Sequence, residues 1–230
     1  MTKHFLGTII LIFIFSFSIT AQTNSKTAYS TPSRDNVMLQ IGYTNWSGAP
    51  DSIKIGGIGR AFGGYITYDF PISKSNFSFA AGLGAGISNI YLKDQVINRK
   101  DSSTQILFEP ETTNYKKYKL TNTYIEVPFE LRYFSDKDDR NKGVKAALGL
   151  KVGALVSSYT KGKYVFNEKP IIDKISTKRY METMHYAATA RIGYGNFSLY
   201  GQYSIGGLFK TGNGPENVRP YQIGLCLSGL

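Results

Sequence analysis

The feature that most constrains this chain is a period of two. Phe77, Phe79, Ala81, Leu83, Ala85 and Ile87 interleave one for one with Ser78, Ala80, Gly82, Gly84, Gly86 and Ser88. Successive side chains of a strand point to opposite faces, so this spacing predicts a strand with one apolar face. Ile125, Val127, Phe129, Leu131 and Tyr133 alternate in the same way with Tyr124, Glu126, Pro128, Glu130 and Arg132. A third segment sets Val144, Ala146, Leu148, Leu150, Val152, Ala154 and Val156 against Lys145, Ala147, Gly149, Lys151, Gly153 and Ser157. No comparable stretch has helical spacing, so the chain reads as all-β.

Eight such segments are predicted, at about 37–46, 58–70, 76–91, 119–134, 143–158, 180–194, 197–209 and 219–230. Their connections alternate in length. The second (71–75), fourth (135–142) and sixth (Gly195-Asn196) are short, whereas the third and fifth, 92–118 and 159–179, are long. Short turns at one end and long loops at the other are the asymmetry of an eight-stranded antiparallel up-and-down transmembrane β-barrel, turns periplasmic and loops extracellular.

Alternation does not say which face looks outward, and a soluble lipocalin-like barrel has the same period. The second face of the 76–91 segment is Ser, Ala and Gly, a poor solvent surface but suited to a crowded lumen. Aromatic residues make up 14 % of the chain and charged residues 19 %, against about 25 % charged in soluble domains. Trp46, Tyr91, Tyr159, Tyr180 and Phe209 are expected at one interface, with Phe70, Tyr133, Tyr194 and Phe197 at the other. Both arguments favour a lipid-facing apolar surface. With Tyr221, Ile223, Leu225 and Leu227 outward, Leu230 falls on the lumen parity.

Ahead of the strands, Lys3 and His4 precede an apolar run from Phe5 to Ile19, and Ala21 follows. This pattern predicts a secretory signal peptide, residues 1–21, cleaved near Ala21, then a polar leader, 22–36, and a barrel domain, 37–230. An anchor helix would need roughly 20 apolar residues. The expected location is the bacterial outer membrane.

Several segments together resemble one family: Thr123-Tyr-Ile-Glu-Val-Pro-Phe-Glu-Leu-Arg-Tyr-Phe134, Asn196-Phe-Ser-Leu-Tyr-Gly-Gln-Tyr203 and Pro220-Tyr-Gln-Ile-Gly-Leu225, behind a signal peptide ending in Ala-Gln. The chain resembles the PorT-like outer-membrane β-barrels of Bacteroidota over nearly its whole mature length. That resemblance implies an eight-stranded barrel of the cell envelope, a part in protein secretion for the founding member, and no catalytic residue.

Chemistry-bearing motifs are sparse. The single Cys226 and two histidines exclude a Cys/His metal cluster, and no cofactor pattern is present. Asp136, Asp138 and Asp139 begin like a calcium loop, but Arg140 stands where a further ligand belongs. Gly56-Gly57 and Gly63-Gly64 fit no phosphate loop. His185 points inward, and a hydrolase or acyltransferase of outer-membrane lipid using it is the alternative to a non-enzymatic surface or secretion-associated interaction protein. No nucleophile motif accompanies it. The formal charge of +11 does not imply a nucleic-acid partner in a secreted chain without a basic helix. Lys161, Lys163, Lys169, Lys174, Lys178 and Arg179 instead form a loop able to rest against anionic glycolipid. Outer-membrane lipid and envelope or secretion proteins are the expected partners.

An eight-stranded barrel has an interior that side chains can fill. Glu126, Glu130, Arg132, Lys145, Lys151 and Arg191 fall on the lumen parity and are expected to pair there, with Glu126 opposite Lys151 in one register and Glu130 opposite Lys145 in another.

Overall fold

The computed structural model describes residues 35–73, 75–98, 104–136, 139 and 141–229. The expected signal peptide, nearly all of the leader, Asp138, Arg140 and Leu230 lie outside the described residues. Eleven strands follow in order: β1 (Asp35–Ser47), β2 (Arg60–Pro71), β3 (Phe77–Leu92), β4 (Gln95–Asn98), β5 (Leu107–Pro110), β6 (Lys117–Phe134), β7 (Val144–Phe166), β8 (Lys169–Ser176), β9 (Met184–Tyr194), β10 (Phe197–Ser204) and β11 (Arg219–Ser228).

Eight of them close a barrel. The antiparallel order β6-β3-β2-β1-β11-β10-β9-β7 is completed by pairing of β6 with β7. The other three belong to loops: β4 and β5 form their own hairpin, and β8 pairs with the far end of β7. At the short-turn end, Gly143 ahead of β7 and Gly195 between β9 and β10 have positive φ of 78° and 58°, which a residue with a Cβ adopts at a cost.

The barrel is inverted relative to a soluble one. Ile66, Leu148, Ile192, Leu199 and Ile223 are each at least 60 % exposed on the outer wall, whereas Asp69, Glu126, Glu130, Arg132 and Lys151 are at most 4 % exposed inside. A water-soluble fold buries the first set and exposes the second, so the lipocalin-like alternative is set aside. Among the described residues no helix is long and apolar enough to cross a membrane.

Over the long connections the fold differs from the sequence reading. β9 and β10 are shorter than the predicted 180–194 and 197–209, because Tyr180, Met181 and Phe209 leave the sheet, held by an isolated Met181–Phe209 bridge. Together with Trp46, Ile53, Leu92, Ile97, Leu120, Leu208 and Val218 they build a buried apolar cluster over the loop end of the barrel. Trp46, Tyr180 and Phe209 are therefore cap residues, not interface aromatics: tertiary burial outweighs their place near strand ends. Exposed tyrosines toward that end are instead Tyr43, Tyr186 and Tyr203, with Tyr43 edge-on to Tyr221 at 6.3 Å. At the turn end Phe70, Tyr133, Tyr194 and Phe197 are exposed.

One bulge also changes a face. Thr123 pairs with Ser157 and Tyr124 with Leu155, leaving Val156 unopposed, so the parity of β7 switches. Ser158 and Thr160 are the buried residues beyond the bulge, and Ser157 is only half-buried.

Leu148 sits near the middle of this apolar wall and is 68 % exposed. Leu148→Arg is expected to cost roughly 2–4 kcal/mol in reversible denaturation in lipid, and wild type is expected to show an electrophoretic mobility difference between unboiled and boiled samples.

Candidate functional site

The lumen holds two charged networks, and glycine makes room for both. Glu126 faces Gly84 on β3 and Gly153 on β7; Glu130 faces Gly149. A Cβ at Gly153 or Gly149 would come within 2.9 Å of the corresponding glutamate Cγ, and one at Gly86 within 2.8 Å of Glu126 Oε2. The Ser/Ala/Gly faces noted in the sequence thus leave space for larger charged neighbours.

In the network nearer the loops, Glu126 Oε2 accepts from Tyr65 Oη at 2.5 Å and lies 3.4 Å from Lys151 Nζ. Lys151 also donates to Tyr65 Oη (2.8 Å) and Gln202 Oε1 (2.7 Å). Glu126 Oε1 lies 3.0 Å from His185 Nδ1, and His185 Nε2 lies 2.9 Å from Ser204 Oγ. In the network nearer the turns, Glu130 is clamped between Arg132 and Arg191, each at 2.7 Å. Arg132 continues to Asp69 Oδ1 (2.9 Å) and Thr67 Oγ1 (3.1 Å).

Neither expected register occurs. Glu126 is opposite Gly153, Pro128 opposite Lys151, and Phe134 opposite Lys145. Glu126 reaches Lys151 diagonally, whereas Glu130 does not meet Lys145, whose Nζ donates to Ser228 Oγ at 3.2 Å. The physical reason is packing: a glycine opposite each glutamate leaves its side chain room that a facing lysine would take. Among the described residues, three lumen carboxylates (Asp69, Glu126, Glu130) face four basic side chains (Arg132, Lys145, Lys151, Arg191). Asp69 and Tyr65 were missed in the sequence, although both lie on the buried parity of β2. Ser204 carried no local signal, because its meeting with His185 depends on the β9–β10 pairing.

Serine, histidine and glutamate are thus strung in the order a hydrolase uses. The setting differs from an active site. Ser204 is 1 % exposed, Tyr124 covers His185 with ring centroids 4.7 Å apart, and the nearby cavity holds about 20 Å³, room for one water rather than a substrate. Among the described residues no group of three or more His, Cys, Asp or Glu is placed to hold a metal ion.

At the loop end, Lys161, Lys163 and Lys174 of the β7–β8 hairpin share one face, while Lys169 lies at its tip on the other parity, and Lys178 and Arg179 lie beyond β8. Tyr115 donates to Asp173 Oδ2 (2.8 Å), and burial together with that carboxylate pushes its hydroxyl up to about 12.

An inverted, closed, eight-stranded antiparallel barrel with a polar lumen is the architecture of an outer-membrane barrel protein. Residues 17–211 match the family described as outer membrane protein beta-barrel domain, and the chain belongs to that family. No curated protein matches it. It is similar to Neisserial surface protein A (13 % identity, 85 % of this chain and 96 % of that chain, TM-score 0.37). It is also similar to Ail, the attachment invasion locus protein of Yersinia pestis, in complex with the heparin analogue sucrose octasulfate (12 %, 85 % and 99 %, TM-score 0.38). Barrel closure is established by the strand pairing itself, not by these distant likenesses.

Breaking a buried ion pair from one side can cost about 3–5 kcal/mol. Glu130→Gln and Arg191→Met are expected to fall in that range singly and to be strongly non-additive together, whereas Glu130→Gln and Lys145→Met add. Denaturation in lipid of the three single and two double variants checks this.

Proposed function

We propose that this outer-membrane protein is a non-enzymatic surface or secretion-associated interaction protein. Its loop end faces out of the cell, and its lumen is closed by its own side chains. The observation that carries this reading is the cap: loops between β1 and β2, β3 and β6, β7 and β9, and β10 and β11 contribute to one buried apolar cluster. Loops with a shared core present a preformed surface, which lowers the ordering cost of binding a partner. Beneath the cap, the two lumen networks occupy the interior. The PorT-like resemblance of the Thr123 to Phe134 segment supports a secretion role among the possible interactions.

The Ser204–His185–Glu126 chain favours a second reading, a lipid hydrolase or acyltransferase. A buried hydroxyl under Tyr124 supports a structural part instead, holding β10 to β9 and β6.

Three measurements test these readings. Steady single-channel conductance in a planar bilayer would overturn the closed lumen. Outer-membrane lipid composition is expected to be unchanged in His185→Ala and Ser204→Ala cells; loss of a lipid modification in both, with the heat-modifiable barrel intact, establishes the enzyme. Crosslinking in intact cells from cap positions such as Gln105 and Asn213 should capture envelope or secreted proteins, and no capture above a turn-end control removes the interaction role.

A further inference from the structure

The sheet extends past the membrane-facing wall on one side only, and there it collects lysines. β6, β7 and β8 pair so that Lys119 stands opposite Lys161 and Lys161 opposite Lys174, with Tyr91 of β3 opposite Lys119. One row further out, Lys117 stands opposite Lys163. Directly opposed residues of antiparallel strands project from the same face, about 5 Å apart, and like charges there are destabilising. Compensation is slight. Lys119 donates to Asn89 Oδ1 (2.6 Å) and Lys174 lies 4.4 Å over the Tyr159 ring, but among the described residues no ion pair involves these five lysines. Asp173, in the same hairpin, alternates to the other face and binds Tyr115.

The height of this face is informative. On the outward parity the apolar wall ends at Phe62, Ile87 and Ile125, all exposed. Asn89, Thr121 and Tyr159 form the next polar row, and the first lysine row lies at Tyr91, four residues beyond Ile87. At about 3.4 Å per residue and a tilt near 40°, that is roughly 10 Å above the last lipid-facing side chain, at the outer edge of the lipid headgroup layer. A cavity of about 450 Å³ opens beside the row, lined by Arg60, Tyr91, Lys93, Lys116 and Lys117, with Asp94 and Glu111 among its other residues. Its size suits a saccharide, and the Glu111 carboxylate is engaged by the Tyr115 backbone N–H.

We propose that this lysine face and the adjoining cavity bind the phosphorylated saccharide headgroup of an outer-leaflet lipid. The inference rests on the loop-end-outward orientation proposed above. Anionic groups bridge the opposed lysines and relieve their repulsion, and the sugar occupies the cavity beside Tyr91. Sequence alone pointed to Lys161, Lys163 and Lys174, but Lys117 and Lys119 join them only through the β6–β7 pairing, while Lys169, Lys178 and Arg179 fall outside the face.

The test uses the full mature protein folded into phosphatidylcholine vesicles, with or without diphosphoryl lipid A. The comparison is a variant carrying Lys117→Gln, Lys119→Gln, Lys161→Gln and Lys163→Gln. After detergent extraction and gel filtration, wild type is expected to retain at least tenfold more lipid A per barrel than the variant, with retention falling as salt rises. In pure phosphatidylcholine the variant, freed of repulsion, should melt at or above the wild-type temperature, so its lost binding is not lost folding. Equal retention by both proteins, each heat-modifiable, overturns the inference alone. Recovery of wild type as a soluble, non-heat-modifiable protein overturns the barrel reading beneath it. Binding of soluble glucose 1,6-bisphosphate by wild type, displacing lipid A only weakly, supports the lipid as source; equal or tighter binding of the soluble sugar overturns that assignment.

Discussion

Everything in this molecule follows from the need to satisfy backbone hydrogen bonds in a medium without water. An open sheet in hydrocarbon would leave a row of N–H and C=O groups unpaired at each edge, and closure of β1 against β11 and of β6 against β7 removes both edges. Closure with eight strands then sets a narrow interior. A narrow interior in turn demands small residues wherever a large one crosses the lumen, which is why glycines flank Tyr65, Glu126 and Glu130.

The charges inside that interior act on specificity as much as on stability. A slip of the β6–β7 hairpin by two residues would keep the apolar wall facing lipid, so the outer face alone leaves that register open. Inside, the same slip would move Glu126 and Glu130 away from Gly153 and Gly149 and pull Glu130 away from Arg191, which β9 holds in register with β7. The two networks thus discriminate between registers that the lipid-facing wall treats alike. The His185 and Ser204 contacts extend this discrimination to the β9–β10 pair.

Beyond the membrane the constraint relaxes, and the loops acquire a separate core. The cap cluster draws on Ile53, Ile97, Tyr180 and Phe209 from four different connections, so the loop end behaves as a packed unit. Its lysine-bearing flank is the opposite case: β6, β7 and β8 hold like charges face to face, a local conflict that the proposed lipid contact would relieve.

The strands and their faces were legible in the sequence because alternation is a local property: Phe77 to Ile87, or Ile125 to Tyr133, declare a two-faced strand without reference to any partner. An even strand number and the alternation of short and long connections followed from the same reading. What tertiary structure alone decided was every relation between segments distant in sequence. Trp46, Tyr180 and Phe209 look like interface aromatics by position, yet cap burial claims them because apolar contact is non-directional and larger in extent. Val156 interrupts a flawless alternation because a bulge depends on the partner strand, not on composition. Glu130 chose Arg191, 61 residues away, over Lys145 across the nearest turn, since a guanidinium fork grips a carboxylate at two points and Gly149 leaves the side chain room to reach it.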